Sequence, residues 1–348
     1  MQDVQTLAVG TVQGHSQNRR AFWLAAGLLV ASVFLLLFGV SVGSTGFESL
    51  QSMRSDVQAM QIIWEIRLPR TVGAWLAGGL LGLGGAVAQG LFRNPLADPY
   101  LLGSASGASL GVAAAMAFFG TSPLALHWVA RIGLTGAAFL GAVGAVLLTL
   151  LLAKGVQHTL RLLLAGVVVG VVLGAVTSLI LLLTPDIMQA MQSFMLGSTG
   201  FVGWTACGVM VAALVASAVA AWMMSHVLDG LALGEATAQS LGLALPQMRA
   251  ALIAVLALAT GTAVAQTGLI AFVGLAAPHL VRSVVKTTHG RLILLAALMG
   301  AVLLTAADIL SRWVIAPQEL PVGVLTAVLG GTYLLWLMHR HTGRGSGL

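Results

Sequence analysis

Charged residues are scarce in this sequence. Asp, Glu, Lys and Arg together make up 7% of its 348 residues, whereas hydrophobic residues make up 58%. Soluble domains carry about 25% charged residues, so this chain has too few charges to give a globule of its size a polar surface. The shortage excludes a soluble enzyme, a disordered protein and a fibrous protein. It predicts an integral membrane protein.

Other absences narrow the class of protein. The chain has two tyrosines, and its apolar runs lack the strict alternation of barrel strands, so they predict helices and an all-α fold. The single cysteine, Cys207, excludes a disulfide framework or a cysteine zinc cluster. The sequence contains no His-Glu-x-x-His or Gly-x-Ser-x-Gly motif. We therefore predict no catalytic residues and no metal site.

Ten apolar runs are long enough to predict membrane spans. They lie at 22–43, 71–92, 100–119, 132–153, 162–183, 205–225, 250–266, 268–281, 292–310 and 321–338. The organisation predicted is a cytoplasmic N-terminal tail at 1–21, one ten-helix domain at 22–339 and a cytoplasmic C-terminal tail at 340–348. The seventh and eighth runs form one long apolar stretch that is interrupted at Gln266-Thr267-Gly268.

The basic residues predict the direction of the spans. With ten spans and the N-terminus inside, 11 of the 16 lysines and arginines fall on the inner side and 5 on the outer side. This bias, rather than nucleic-acid binding, explains the net charge of +6. Nine spans would place Arg282, Lys286 and Arg291 on the wrong side. We therefore predict ten spans with both termini cytoplasmic.

The sequence contains no energy source of its own. All ten acidic residues fall in loops or at span ends, so no proton relay is predicted inside the membrane. Neither lysine lies in a Gly-Lys-Ser/Thr phosphate-binding loop. Two classes remain open: the permease of a transporter driven by a partner ATPase, and a self-sufficient secondary transporter or channel.

Two interrupted segments lie in opposite halves of the chain, at 93–107 and 268–282. Pro95 and Pro99 end the helix that precedes the first segment, and Pro278 interrupts the second segment. Paired broken spans in two halves of a chain are typical of a transporter whose pathway lies between repeats. Two unrelated helix breaks explain the pattern equally well. The pathway or gate candidates here are Gly103, Ser104, Gly107, Gly274, Pro278 and His279.

The longest inner loop, about 229–245, is apolar for a cytoplasmic segment and rich in helix formers. It predicts a short exposed helix that docks a protein partner, or one that lies on the bilayer. In the outer segment, Met188, Met191 and Met195 follow helical spacing and could place three thioethers on one face. Ordinary packing is the simpler explanation of these methionines.

These segments resemble the iron-complex, haem and cobalamin permease family of bacterial binding-protein-dependent ABC importers. The matching stretches run in family order: Arg67-Leu-Pro-Arg70, Arg93-Asn-Pro-Leu-Ala-Asp-Pro, Leu233-Gly-Glu-Ala with Ser240-Leu-Gly242, Gly274 to Arg282, and Glu319-Leu-Pro-Val-Gly323. The resemblance implies a ten-helix, type II ABC importer permease in the bacterial inner membrane. It also implies a second copy of the chain, two ATPase subunits that bind ATP and Mg, and a periplasmic binding protein.

The resemblance gives further residues a role. The ATPase-coupling residues it implies are Leu233, Gly234, Glu235, Ala236, Ser240, Leu241 and Gly242, with Glu235 orienting the segment through a salt bridge. Arg67, Arg70 and Arg312, which depart from the charge bias, would meet the binding protein, although Arg312 could instead pair locally with Asp308. The transported substrate expected is haem, with a ferric siderophore or cobalamin as alternatives, and the chain itself holds no cofactor.

Overall fold

The computed structural model describes residues 2–43, 46–47, 57–120, 128–153 and 159–342. The long helices are α1 (Gln2–Ser41), α3 (Leu68–Phe92), α4 (Ser104–Phe119), α5 (Trp128–Leu152), α6 (Thr159–Leu183), α8 (Trp204–Met223), α11 (Leu245–Thr267), α13 (His289–Trp313) and α14 (Val322–Thr342). The shorter ones are α2 (Val57–Ile62), α7 (Met188–Leu196), α9 (Ser225–Ala232), α10 (Glu235–Ser240) and α12 (Val273–Val284). One π turn, Ile63–Arg67, joins α2 to α3, a 3-10 turn covers Pro185–Ile187, and a two-residue ladder pairs Val42–Gly43 with Gly46–Phe47.

Helix α3 forms the centre of the molecule. Its most apolar window is 89% buried, whereas the corresponding windows of α1 and α6 are only 17% buried. It packs against α8, α11, α12 and α13. Seven glycines between 73 and 90 allow the neighbouring helices to approach its backbone closely. The glycine-rich sequence of this span therefore marks the helix that is surrounded by others.

The closest approach joins α3 to α12. A Cβ atom added to Gly85 would lie 1.7 Å from the carbonyl oxygen of Gly274, a backbone atom that no side-chain rotation can move. We expect Gly85→Ala to lower the midpoint of thermal unfolding, because overpacking typically costs about 1–3 kcal/mol. Gly174→Ala is the matched control, since nothing lies within 4 Å of a Cβ there. Equal midpoints for the two variants in detergent would contradict this packing.

The prediction of ten spans is met only in part. Seven helices in the described part of the chain are long and apolar enough to cross a membrane, and two shorter apolar helices cover Ser104–Phe119 and Val322–Trp336. The eighth predicted span, 268–281, is shorter than expected, since α12 begins only at Val273. Its twelve residues rise about 18 Å, less than the roughly 30 Å hydrocarbon core.

The break predicted at Gln266-Thr267-Gly268 is confirmed. Helix α11 ends at Thr267, and Gly268 follows with φ +69°, a left-handed conformation that glycine adopts without steric cost. The chain then runs without helix to Phe272, whose φ is +68°. The single long apolar stretch is therefore two helices.

Some helices begin or end away from the limits of the predicted spans. The N-terminal tail predicted at 1–21 is helical from Gln2 and continuous with the first span. The third span was predicted from position 100, but its helix begins at Ser104, because the preceding loop stays irregular and buried. Residues 343–348 of the predicted C-terminal tail lie outside the described residues, as do Arg54 and Lys154 of the charge count.

Candidate functional site

The predicted coupling loop folds into two short helices, α9 and α10, at the end of the molecule that the charge bias predicts to be cytoplasmic, hereafter the inner end. Gly234 joins them with φ +109°, a conformation that favours glycine. Gly242 ends the second helix with φ +80°. The two glycines that delimit the sequence pattern are therefore the points at which the backbone turns.

Glu235, the first residue of α10, contacts two arginines from distant parts of the chain. Its Oε1 lies 2.7 Å from Nη2 of Arg249 at the start of α11, an ion pair without hydrogen-bond alignment. The same oxygen lies 3.4 Å from Nη2 of Arg93, which follows the end of α3. The predicted salt bridge is thus confirmed, and it ties the segment to two long helices at once.

The surface of this segment is apolar at both ends. Leu233 is 68% exposed and Leu241 is 64% exposed, whereas Ala238 between them is fully buried. Ser240 donates a hydrogen bond from Oγ to the carbonyl oxygen of Thr237 (2.8 Å), closing the last turn. The segment is therefore packed against the protein through Ala238, and it leaves Leu233, Ala236 and Leu241 exposed.

A second charged contact supports the segment, and sequence reasoning missed it. Asp229 of α9 accepts hydrogen bonds through Oδ1 from the backbone N of His289 (3.0 Å), and its Oδ1 lies 2.7 Å from Nδ1 of the same ring. A carboxylate at a helix N-terminus stabilises that terminus. The segment is thereby held to the start of α13 as well. Because 60 residues separate the pair, no local pattern marks it.

The two interrupted segments meet in space. A Cβ added to Gly274 would lie 2.4 Å from Cγ of Pro99, and the Tyr100 hydroxyl donates to the carbonyl oxygen of Ile270 (3.1 Å). Asp98 starts this turn by accepting from the backbone N of Tyr100 (2.8 Å), and burial raises the pKa of its carboxyl. The two interrupted segments are therefore neighbours in the fold, and a transport pathway between them stays a prediction.

Irregular backbone in this region is shielded by protein. Leu102 and Gly103 are buried, and Thr149 donates its hydroxyl hydrogen to the carbonyl oxygen of Leu102 (2.9 Å). Non-helical backbone within a membrane protein is tolerated only where it is covered in this way. Gln89 of α3 similarly donates to the carbonyl oxygen of Leu275 (3.1 Å) and accepts from Arg282.

Most of the predicted pathway or gate residues are buried in helix contacts. Gly103, Ser104, Gly107, Gly274 and Pro278 are all buried, so in this conformation they pack helices together and touch no solute. His279 is partly exposed and differs from them. Their role in gating remains a prediction.

His279 begins a row of three rings between α12 and α14. Its ring centroid lies 5.8 Å from that of Tyr333, with the planes at 69°. The Tyr333 centroid lies 6.2 Å from that of Trp336, with the planes at 30°. Trp336 is 49% exposed. We call His279, Tyr333 and Trp336 the aromatic row.

The three methionines do not share one open face. Met191 is fully buried against Val112 and Met116 of α4, whereas Met188 and Met195 are about half exposed. The spacing of three and four keeps the three residues on one side of α7, and the core cluster with α4 covers the middle of that side, so the middle thioether packs into the protein. The simpler explanation, ordinary packing, describes Met191.

The outer arginines form a buried ion cluster. The cluster contains Arg70, Asp308, Arg312 and Glu319. Arg70 contacts Oδ1 of Asp308 through Nε (3.2 Å) and Glu319 through Nη1 (2.8 Å). Arg312 contacts Oδ2 of Asp308 (2.5 Å), which confirms the local pairing.

Backbone and hydroxyl groups complete this cluster. Arg312 donates to the carbonyl oxygens of Gly39 (2.9 Å) and Val42 (3.1 Å), and Thr199 donates to Asp308. Arg67 is buried as well. All three arginines are thus largely covered by the protein in this conformation, and contact of Arg67, Arg70 and Arg312 with a binding protein stays a prediction.

A large cleft lies among the described residues, which contain no metal cluster. A cleft of ≈ 650 Å³ lies between α4, α5, α7, α8 and the end of α11. No group of three or more His, Cys, Asp or Glu residues within the described ranges could hold a metal ion. The described structure thus contains exposed apolar surfaces, ion pairs between helices and the aromatic row.

Comparison with known proteins adds three findings. The sequence profile of the FecCD transport family matches residues 2–340. The hemin transport system permease protein HmuU of Yersinia pestis is 37% identical over 328 residues, covering 92% of this chain and 96% of HmuU. The vitamin B12 import system permease protein BtuC of Klebsiella pneumoniae is 36% identical over 348 residues, covering 99% of this chain and all of BtuC.

One solved structure is similar along almost the whole chain. It is an inward-facing conformation of a metal-chelate type ABC transporter, which superimposes with a TM-score of 0.80 at 27% sequence identity. The alignment covers 92% of this chain and 99% of that one. The helical arrangement described above is therefore an arrangement already seen in an ABC transporter.

Proposed function

Since the chain belongs to the FecCD transport family and is a permease subunit of an ABC importer, we propose that its cargo is haem or a related bulky iron complex, carried from the periplasm to the cytoplasm. Such a subunit is a transport component and not a catalyst. The other class considered from the sequence, a self-sufficient secondary transporter or channel, does not describe this family. The chain is a multi-pass membrane protein, for which we propose the bacterial inner membrane with both termini inside.

The family implies an ATPase and a binding protein as partners. We propose two copies of this chain, two ATPase subunits that hydrolyse ATP with Mg, and one periplasmic binding protein. The lipid bilayer completes the environment, and no nucleic acid takes part. The extensive exposed surface of α6 leaves room for contact with a second copy and with lipid.

The proposed ATPase contact is the segment from Leu233 to Gly242. Its support is the combination of two exposed leucines with a firmly anchored base at Glu235. Exposed apolar side chains on a short helix suit a hydrophobic groove of a partner protein. Because the segment is held at Glu235, a movement of the partner would shift the whole segment instead of bending it. Ion pairs to Arg93 and Arg249 would pass that displacement to α3 and α11.

Binding-protein contact at the outer end is proposed for the surface around the buried ion cluster. Charged surfaces steer encounter and set register. Glu319 is the most exposed member of the cluster, with its side chain 34% exposed. A binding protein that engages Arg70 would have to compete with Glu319 for this guanidinium.

Sequence identity does not decide the cargo. A hemin permease and a vitamin B12 permease are similar to this chain at nearly the same identity. The observation that carries the haem proposal is the aromatic row, since Tyr333 and Trp336, with planes 30° apart, offer apolar ring faces to a planar macrocycle, and His279 meets Tyr333 edge to face beside them. The B12 permease, matched over its full length, favours cobalamin as the second candidate.

Substitutions in the aromatic row test the cargo contact. We expect His279→Ala and Trp336→Ala to slow haem uptake by about two- to tenfold, the effect of losing one aromatic contact. Trp222→Ala is the matched control, because Trp222 is exposed on α8 and 56% accessible, away from the row. Uptake is measured in proteoliposomes that hold the permease and its ATPase, with the binding protein added outside. Equal uptake by all three variants would remove the row from the pathway.

The cargo itself is tested through the binding protein. We expect haem, but neither cobalamin nor a ferric siderophore, to bind the cognate periplasmic protein and to stimulate ATP hydrolysis by the assembled transporter. Stimulation by cobalamin alone would overturn the haem proposal and leave the importer assignment unchanged.

A further inference from the structure

Two basic segments meet at the inner end of the molecule. Gln17 of α1 accepts a hydrogen bond through Oε1 from the backbone N of Lys286 (3.2 Å). The next residue of α1, Asn18, accepts through Oδ1 from Nη1 of Arg291 in the first turn of α13. These contacts join the N-terminal helix to the connection between α12 and α13. They bring together basic residues that lie nearly 270 positions apart in the chain.

Four cations are exposed at this junction. The side chains of Arg19, Arg20, Lys286 and Arg291 all lie at the surface, and we call these four residues the inner basic patch. The sequence has no acidic residue between positions 4 and 47 or between 236 and 307. Asp229 is the acidic group that reaches the start of α13, and it is occupied by the backbone N and ring of His289. The patch therefore has a strong net positive charge.

Apolar aromatic side chains follow the patch along α1. Phe22 is 66% exposed and Trp23 is 65% exposed, and their rings meet edge to face with centroids 5.8 Å apart. Trp23 lies four residues after Arg19 and three after Arg20, so it shares a helix face with both. Exposed tryptophan next to arginine is typical of the boundary between headgroups and hydrocarbon. Beyond it, α1 is apolar and only 17% buried through Ser41.

We propose that the inner basic patch binds the phosphate headgroup of an anionic phospholipid, whose acyl chains lie along the exposed face of α1. Basic pockets between spanning helices suit such headgroups, and cations near the surface add attraction to anionic lipid. Four cations on two elements can surround a doubly charged headgroup, whereas a single helix end could not. The aromatic pair places the patch at lipid-headgroup depth, which favours a lipid over a protein partner.

Lipid retention by the full-length chain tests the site. The purified protein is titrated in detergent with cardiolipin, phosphatidylglycerol or phosphatidylcholine, and bound lipid is counted by native mass spectrometry. We expect cardiolipin and phosphatidylglycerol to be retained over phosphatidylcholine. Arg19→Gln combined with Arg291→Gln should weaken that retention by about tenfold or more, since each cation near the surface contributes about a fivefold factor.

Matched variants separate charge from folding. Arg161→Gln removes another exposed inner arginine, at the start of α6, and should leave retention unchanged. Arg19→Lys with Arg291→Lys keeps the charge and should restore most of the binding. Equal loss in Arg161→Gln, or no loss in the double glutamine variant, would overturn the proposal.

Two other ligands give different results. Displacement of cardiolipin by inorganic phosphate at matched ionic strength would show a free-anion site, and the lipid proposal would fail. Loss of ATPase co-purification with unchanged lipid retention would show a protein contact, with the same consequence. Because lipid retention is measured without cargo, ATP or binding protein, it is independent of the proposed haem import.

Discussion

Replacing Glu235 with arginine should abolish cargo uptake while leaving the protein inserted in the membrane. The new side chain would face Arg93 and Arg249, whose nitrogens lie 3.4 and 2.7 Å from the present carboxylate oxygen. Two like charges about 4 Å apart repel by about 4 kcal/mol at the effective dielectric constant near a protein surface. This repulsion would release the segment from α3 and α11, so its displacement would no longer reach them.

The measurement compares ATP hydrolysis and uptake in the same proteoliposomes. We expect hydrolysis to persist and uptake to fall by at least about tenfold, the ratio that a loss of about 1.4 kcal/mol in coupling produces. Gln239→Arg adds the same charge on the same helix, at an exposed position, and should transport normally. Combining Glu235→Arg with Arg249→Glu should recover part of the uptake. Unchanged uptake by Glu235→Arg would remove this residue from coupling.

Replacing Asp308 with asparagine should cause the largest loss of stability. Its carboxylate is fully buried and contacts both Arg70 and Arg312. Removing one partner of a buried ion pair typically costs about 3–5 kcal/mol, because the remaining charge has no compensation. Here Arg312 would lose its carboxylate partner, and Arg70 would keep only the partly exposed Glu319. We expect poor expression and a marked fall in the midpoint of thermal unfolding in detergent.

Glu319→Gln provides the comparison for this cluster. Glu319 contacts the same Arg70, but its side chain is 34% exposed, so water can replace it. Exposed pairs contribute about 0–1 kcal/mol, and we expect a correspondingly small shift. Equal losses for Asp308→Asn and Glu319→Gln would contradict the view that burial determines the cost.

The apolar runs were sufficient to predict the class of protein and most of its helices. A run of about 20 apolar residues has few alternatives to a spanning helix, so α5, α6 and α8 begin and end close to the predicted positions. The helix limits were predicted less accurately where the backbone is covered by protein and not by lipid. Both the loop before α4 and the start of α12 stay irregular for this reason, and composition cannot distinguish the two environments.

The two short helices at 225–240 were predictable from their loop because the sequence signal is local. Gly234, Glu235 and Gly242 lie within nine residues, and the low polarity of their loop is visible in a short window. The ion cluster was not predictable as a whole. Only Asp308 and Arg312 are neighbours on one helix, whereas 238 residues separate Arg70 from Asp308. Its arginines were therefore interpreted as surface charges, although the fold buries them.

The ion pairs at the two ends of α3 have a consequence for the coupling between the binding protein and the ATPase. Arg70 holds the first turn of this helix to α13 and Glu319, and Arg93, directly after its last turn, contacts Glu235 at the start of α10. A rigid, enclosed helix that is held at both ends can couple the two ends energetically by moving as one body, without successive changes in side-chain packing. Coupling of this kind is reciprocal in binding free energy. If ATP binding changes the affinity of the transporter for the binding protein by some factor, docking of the binding protein must change the affinity for ATP by the same factor.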